Sequence, residues 1–422
     1  MEVFWRCIAF SAEKRLSRQA CKDLAVFLTK PEPNTKQNGF FDQNENNQTA
    51  MGAEVWKTDR LGNFITLKRG YDLPKQDRKE GYVPIYSSAG LSGYHNEAKI
   101  KGPGVITGRY GTLGEVFYSE NDYWPHNTAL YVKDFKGNDP KFIFYFLQTL
   151  GFERNNDKTS VPGVNRNDLH EMQVRIPDLP TQKRIASILS AFDDKIENNR
   201  QTARTLEAMA QALFQEWFVD SRFPGATGEM EETELGWVPK GWRVGTLGEL
   251  ATSVSESVDP ASINPDTPYV GLEHIQRKNL SIAAWGSAAD VGSQKRRFRN
   301  GDILFGKLRP YFHKVGLPAK SGICSTDILV IRPKVERYYC YVTNIVFQDA
   351  FVEYASRIAD GTRMPRTEWK QLAKYEIAIP NSDTLERFDS SVLPYYQMLI
   401  DLEKECASLK EARTDVLSSL FH

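Results

Sequence analysis

Close cysteine pairs are missing from this 422-residue chain: its five cysteines, Cys7, Cys21, Cys324, Cys340 and Cys406, are scattered. That spacing excludes a disulfide framework and a cysteine-rich zinc module, and it points to a reducing compartment, so a cytoplasmic protein is expected. The six histidines show no metal-ligand spacing, and neither a metal nor a cofactor is expected. No apolar run approaches the roughly 20 residues that cross a bilayer, and the N-terminus lacks a signal-peptide core. An excess of one charge is lacking too, because 54 Lys and Arg balance 54 Asp and Glu. Neutrality argues against a purely electrostatic nucleic-acid binder and leaves room for local basic surfaces. No Pro-Pro dipeptide occurs, so the Asp/Asn-Pro-Pro-aromatic motif of amino-methyltransferases is absent. No Pro-Asp is followed closely by Glu-x-Lys, as a nuclease would require.

What the chain does have is a long helical run, LPTQKRIASILSAFDDKIENNRQTARTLEAMAQALFQEWF, free of Gly and with a single Pro near its start. Ile185, Leu189, Phe192, Ile196, Asn199, Ala203, Leu206, Ala210, Leu213 and Trp217 follow steps of four and three, a coiled-coil seam roughly 50 Å long. One apolar stripe needs a partner. Moving 203 positions along the chain gives Phe388, Val392, Tyr395, Leu399, Leu402, Cys406, Leu409, Arg413, Val416 and Leu420. Pro394 interrupts this second run and predicts a kink or restart. The same offset places the segment ending at Pro177 over the one ending at Pro380.

The duplication extends further. Trp56 and Leu61 recur 186 positions later as Trp242 and Leu247. VITGRYG (105–111) matches ILFGKLR (303–309), and HNTALYV (126–132) matches CSTDILV (324–330), both at an offset of 198. Each copy alternates β-branched runs with Gly and Pro turns and then an aromatic helical stretch. The resulting division is a poorly ordered Asn/Gln-rich extension (1–50), a first mixed α/β domain (51–178), a helix (179–220), a solvated linker (221–236), a second domain (237–384) and a second helix (385–422). Whether residues 1–50 belong to the functional protein stays open.

The central run, with RIASILSAFDDKIENN, AQALFQEWFVD and GWVPKGWRVGTLGEL, resembles the specificity subunits of type I restriction-modification enzymes. The resemblance covers residues 51–421. It implies an α+β fold: two target-recognition domains separated by two long helices that form an antiparallel coiled coil, with an internal pseudo-two-fold repeat. It also implies a non-catalytic polypeptide whose partners are double-stranded DNA, methyltransferase (modification) subunits and restriction/translocase subunits. The other reading is a coiled-coil scaffold that binds proteins and does not read DNA.

The residues themselves give a second line toward DNA. Residues 291–320 hold eight Lys or Arg against one acid, Asp302. Such a run can neutralise phosphates, which nominates Lys295, Arg296, Lys307 and Arg309. In the first copy Tyr86, Ser87, Ser88, Arg109, Tyr110, Asn127 and Thr128, and in the second Ser325 and Thr326, are types that pair with base edges or stack beside them. Taken singly, many of these are equally explained as ordinary loop and strand-end residues. GDILFGKL (301–308) imitates a phosphate-binding loop, but Leu308 replaces the Ser or Thr and the segment predicts a strand. Phe214, Trp217 and Phe218 exceed what one seam can cover, so they nominate a contact with the modification subunit or packing beneath a recognition domain.

Overall fold

The computed structural model describes residues 56–109, 114–151 and 165–421; the expectations for residues 1–50 and for Tyr110 lie outside them. The chain divides into two compact units, one formed by Met1–Asp194 with Leu409–His422 and the other by Lys195–Ser408.

In the first unit the described chain runs β1 (Lys57–Arg60), α1 (Leu61–Phe64), β2 (Thr66–Arg69), β3 (Val83–Ser87), β4 (Gly90–His95), β5 (Gly104–Gly108), β6 (Val116–Ser119), β7 (Trp124–Pro125), β8 (Ala129–Asp134), α2 (Pro140–Thr149), α3 (Arg166–Glu171) and β9 (Gln173–Ile176), then enters α4 (Leu179–Phe214). One sheet has the order β2-β8-β5-β6, a second β4-β3-β7, and β1 pairs with β9. All five residues of β5 are buried, as a strand covered on both faces requires. The Asp139 carboxylate accepts from Phe142 N at 2.8 Å and Pro140 opens the helix, which fixes the start of α2. Its Phe142, Ile143 and Phe146 share a core with Leu67, Val105, Val132, Ile185, Leu189 and Val416.

The second unit holds the rest of α4, which ends in a π-helical turn at Gln215–Val219. There follow β10 (Met230–Thr233), β11 (Gly236–Pro239), β12 (Arg243–Thr246), α5 (Leu247–Leu250), β13 (Ala251–Val254), β14 (Ser257–Val258), β15 (Pro268–Val270), β16 (Gly286–Ser287), β17 (Lys295–Phe298), β18 (Ile303–Gly306), β19 (Val315–Gly316), β20 (Gly322–Cys324), β21 (Ile328–Pro333), α6 (Tyr339–Phe347), α7 (Asp349–Arg357), α8 (Trp369–Leu372), β22 (Glu376–Ile379) and α9 (Ser382–Phe421). Its sheets are ordered β13-β21-β18-β19 and β14-β17-β20-β15-β16, and β12 pairs with β22. The segment expected to be a plain linker forms β10, the exposed strand of a β10–β11 hairpin whose Val238 and Pro239 are buried.

The internal match is legible in the hydrogen bonds of each unit taken separately. Leu61 N donates to Met172 O at 2.8 Å, and Leu247 N to Tyr375 O at 2.9 Å, which reproduces the offsets of 186 and 203. The third offset needs correction. Gly108 pairs with Ala129 and Gly306 with Ile328, so β8 and β21 correspond at 199 positions. Side-chain similarity had aligned Asn127 with Ser325; backbone pairing aligns it with Thr326, and a one-residue slip reverses the face of every side chain.

Eight of the ten residues expected along the first seam are buried, with Leu206 and Leu213 half-buried. In the second unit Asn199 Nδ2 donates to Glu405 Oε2 at 2.8 Å, and the Phe214 ring lies 6.0 Å from Phe388. Residue numbers therefore rise along α4 as they fall along α9. In the first unit Arg413 pairs with Asp193, whose other oxygen accepts from Tyr145 Oη at 2.7 Å. Both polar seam residues thus bond to the neighbouring helix rather than to solvent. Pro394 does not restart α9: it sits on the exposed face, where water can satisfy the carbonyl of exposed Ser390. At that level Tyr396 is buried instead of the expected Tyr395.

Candidate nucleic-acid interface

In the first unit, the ends of β3, β5 and β7 meet at one corner. Arg109 N donates to Thr128 O at 3.1 Å, His126 N to Tyr86 O at 2.7 Å and Ser88 N to Thr128 Oγ1 at 3.3 Å. These bonds bring Tyr86, Ser87, Ser88, Arg109, Asn127 and Thr128 together. Asn127 is held from two sides, its amide on Asp72 and its carbonyl oxygen accepting from Arg69 Nε at 3.2 Å. His126 Nδ1 lies 3.2 Å from Thr128 Oγ1, and burial, reinforced by the Arg78 charge, holds the imidazole below its ordinary pKa. Gly70 makes the corner possible, because a Cβ there would sit 2.2 Å from His126 O. The Tyr86 ring turns inward, 6.1 Å from Tyr123 and 6.4 Å from Phe117.

The second unit repeats the corner with other side chains. Lys307 N donates to Asp327 O at 2.9 Å, Ser325 N to Val270 O at 2.9 Å, and Ile328 N to Ser325 O at 3.0 Å. The last has its counterpart in Ala129 N to His126 O, also 3.0 Å. A segment with no described counterpart in the first unit closes over it. Asp360 and Arg366 pair across a hairpin, Arg309 N donates to Pro365 O at 2.7 Å, and Thr367 N donates to Lys307 O at 3.1 Å. Arg366 Nε reaches Asp327 Oδ1 at 2.8 Å, and Arg363 is exposed. Sequence reasoning missed Arg69, Asp72, His126, Asp327, Arg363 and Arg366. For His126 the signal was present in its place beside Asn127; for the arginines it was the charge on both sides of Pro365 in RMPR.

The basic run at 291–320 does not form one surface. Lys295 is 5% exposed and its ammonium donates to Ser293 O and Oγ at 2.7 and 2.6 Å. Lys307 is 7% exposed and donates to Glu368 Oε1 at 2.8 Å. Arg297 pairs with Glu256 at 2.9 Å, and Lys320 lies over the Trp285 ring. Buried Asp302 is gripped through both oxygens by Arg332, at 2.6 and 2.8 Å. Separate partners explain this dispersal, since each side chain is turned to a neighbour of its own: Ser293, Glu368, Glu256 or Trp285. Arg296 and Arg309 remain half-exposed, as does Ser325, while Thr326 is exposed. Residues 303–306 form strand β18, which disposes of the phosphate-loop resemblance.

Comparison with known proteins gives the context of these corners. A family model described as the type I restriction modification DNA specificity domain matches residues 53–208. The HindI type I restriction enzyme specificity subunit of Haemophilus influenzae is 46% identical over 324 residues, covering 62% of this chain and 71% of the relative. The chain belongs to the type I restriction enzyme specificity subunit family. Another member of it, the MjaVIII specificity subunit of Methanocaldococcus jannaschii, is 25% identical over 415 residues, covering 90% of this chain and 96% of that one. The crystal structure of the S subunit from M. genitalium aligns with a TM-score of 0.57 at 17% identity, over 87% of this chain and 96% of that chain, a likeness of fold. No helix among the described residues of this specificity subunit is long and apolar enough to cross a membrane.

The aromatic cluster at the end of α4 has a different place from the partner contact nominated for it. Phe214 and Trp217 are 4% and 7% exposed, and Phe218 is half-buried. Phe218 lies 4.7 Å from both Tyr341 and Phe388 and 5.7 Å from Trp242. These rings belong to the second unit's core. The π-helical turn adds a residue to the last turn, which lets consecutive rings face inward together.

Proposed function

We propose that this specificity subunit reads a bipartite duplex target, one half-site per unit, and directs methyltransferase and restriction subunits to it. The observation that carries the reading is the repeated corner, in which the same backbone bonds gather polar strand-end residues in both units: Arg109 with Thr128, and Lys307 with Asp327. Ser87, Ser88, Arg109, Asn127 and Thr128 serve the first half-site, while Tyr86, its ring turned inward, supports the corner from below. Arg296, Arg309, Ser325 and Thr326 serve the second, while Lys295 and Lys307 position the strands that carry them. Hydrogen bonds to base edges specify, and arginine contacts to phosphate set register. In this account α4 and α9 form an antiparallel coiled coil that spaces two pseudo-two-fold related reading surfaces, and the polypeptide performs no catalysis itself. The Asn199–Glu405 and Arg413–Asp193 bonds support such a pairing, since polar groups in a seam select one alignment.

The test is selection of duplexes from a random library by the chain assembled with its modification subunits, followed by a salt titration. Two constant half-sites separated by an unread spacer, with affinity falling steeply as salt rises, are expected. Sequence-independent binding that is flat in salt would favour the protein-binding scaffold.

A further inference from the structure

Arg309 and His313, at φ 50° and 49°, hold left-handed backbone at both ends of the turn Pro310–Phe312. L side chains adopt that conformation only where the surroundings enforce it. Here they do. Arg309 N donates to Pro365 O at 2.7 Å and its Nη2 to Arg363 O at 3.1 Å. His313, 3% exposed, has Nε2 2.8 Å from Phe347 O and Nδ1 3.1 Å from Asp349 Oδ1.

Between these anchors the apolar side chains point outward. Tyr311 and Phe312 are 49% and 41% exposed, their rings 4.9 Å apart. Met364, 49% exposed, lies in the segment that Arg309 grips on both sides. Scattered exposed apolar residues are ordinary; strained backbone that presents two rings between Arg309 and His313, with exposed Arg363 held against Arg309, is not. Arg363 forms no ion pair among those described.

We propose that Tyr311 and Phe312 form an apolar wedge that enters a base step beside the half-site of the second unit, with Arg309 and Arg363 on the flanking phosphates. The assignment rests on the DNA-reading function proposed above. Charge complementarity and continuity select duplex DNA as the occupant. The turn leaves the same corner, two residues beyond Arg309, and exposed rings next to a pair of arginines suit partial unstacking, which bends a duplex and widens its contact with protein.

The experiment uses the full chain assembled with its modification subunits and the selected duplex, carrying 2-aminopurine at one position at a time through the second half-site and its flanks. The wild type should raise the fluorescence at one step and should bind a duplex mismatched there at least roughly tenfold tighter than the matched one. Tyr311→Ser/Phe312→Ser should lose both effects with its melting temperature retained, and Tyr311→Phe/Phe312→Trp should keep them. Wild-type binding with no fluorescence rise at any position, or an undiminished rise in the Ser variant, overturns the wedge while leaving DNA reading intact. A Ser variant that keeps its melting temperature but fails to assemble with the modification subunits also overturns it, in favour of a protein contact. Absence of salt-dependent binding to any duplex removes the DNA-reading function and the wedge together.

Discussion

Glu207 sits on α4 with its carboxylate facing the second unit's core, where it accepts from Leu280 N at 2.6 Å and from Gln211 Nε2 at 3.3 Å. Burial pushes its pKa up to about 7 from 4.5, against the pull of those two bonds. The folded state therefore binds more protons than the unfolded state between these values, and Glu207's contribution is full below pH 4.5 and fades as pH rises through 7. Across that window the loss is on the order of 3 kcal/mol. Glu207→Gln should remove the dependence, giving urea midpoints at pH 8 above those of the wild type; an unchanged slope from pH 5 to 8 would refute the assignment. His313 works in the opposite direction, since burial lowers its pKa: its stability contribution is complete above the ordinary value of 6.5 and is lost as pH falls from there through the lowered folded value. A second residue-scale test concerns Arg363, which is exposed. Arg363→Ala should leave melting unchanged and reduce the slope of log affinity against log salt by about 1, the amount for one lost phosphate contact.

At the scale of elements, the end of α4 is a core element. Phe218→Ser should lower the second unit's unfolding free energy by about 3 kcal/mol, because it opens a cavity among Tyr341, Phe388 and Trp242. Chemical denaturation of the isolated chain measures this, and wild-type stability combined with failed assembly would return the ring to a partner surface. The same cluster marks the limit of what periodicity reveals. Helix period and the 203-position offset pointed to a buried stripe on α4 and, less completely, on α9, since one buried stripe is a local property of a helix. What lay beyond reach were contacts made over long separations: Trp242 and Tyr341 converging on Phe218, and the hairpin at 360–366 closing on Lys307. Strand matching by side-chain type slipped by one residue because register is set by backbone pairing, Gly108 to Ala129 and Gly306 to Ile328. The site was legible as two groups of polar residues at strand ends. It was not legible as a basic patch, because hydrogen bonds to Ser293 and an ion pair with Glu368 withdrew Lys295 and Lys307.

In the whole molecule, under the proposed function, the paired helices serve as the ruler between two half-sites. Asn199–Glu405 and Phe214–Phe388 bracket a stretch of both helices within the second unit. Four residues inserted after Gln201 and four after Asp401 keep both contacts and lengthen the stretch by about 6 Å, comparable with one to two base pairs at about 3.4 Å each. Nearly one full turn is added to each helix, so the apolar stripe stays close to its phase. The decisive measurement is target selection by this doubly extended chain, assembled with its modification subunits, from a random duplex library. The account predicts both half-sites unchanged and a spacer longer by one or two base pairs. A spacer of unchanged length, with altered half-site bases, would contradict it.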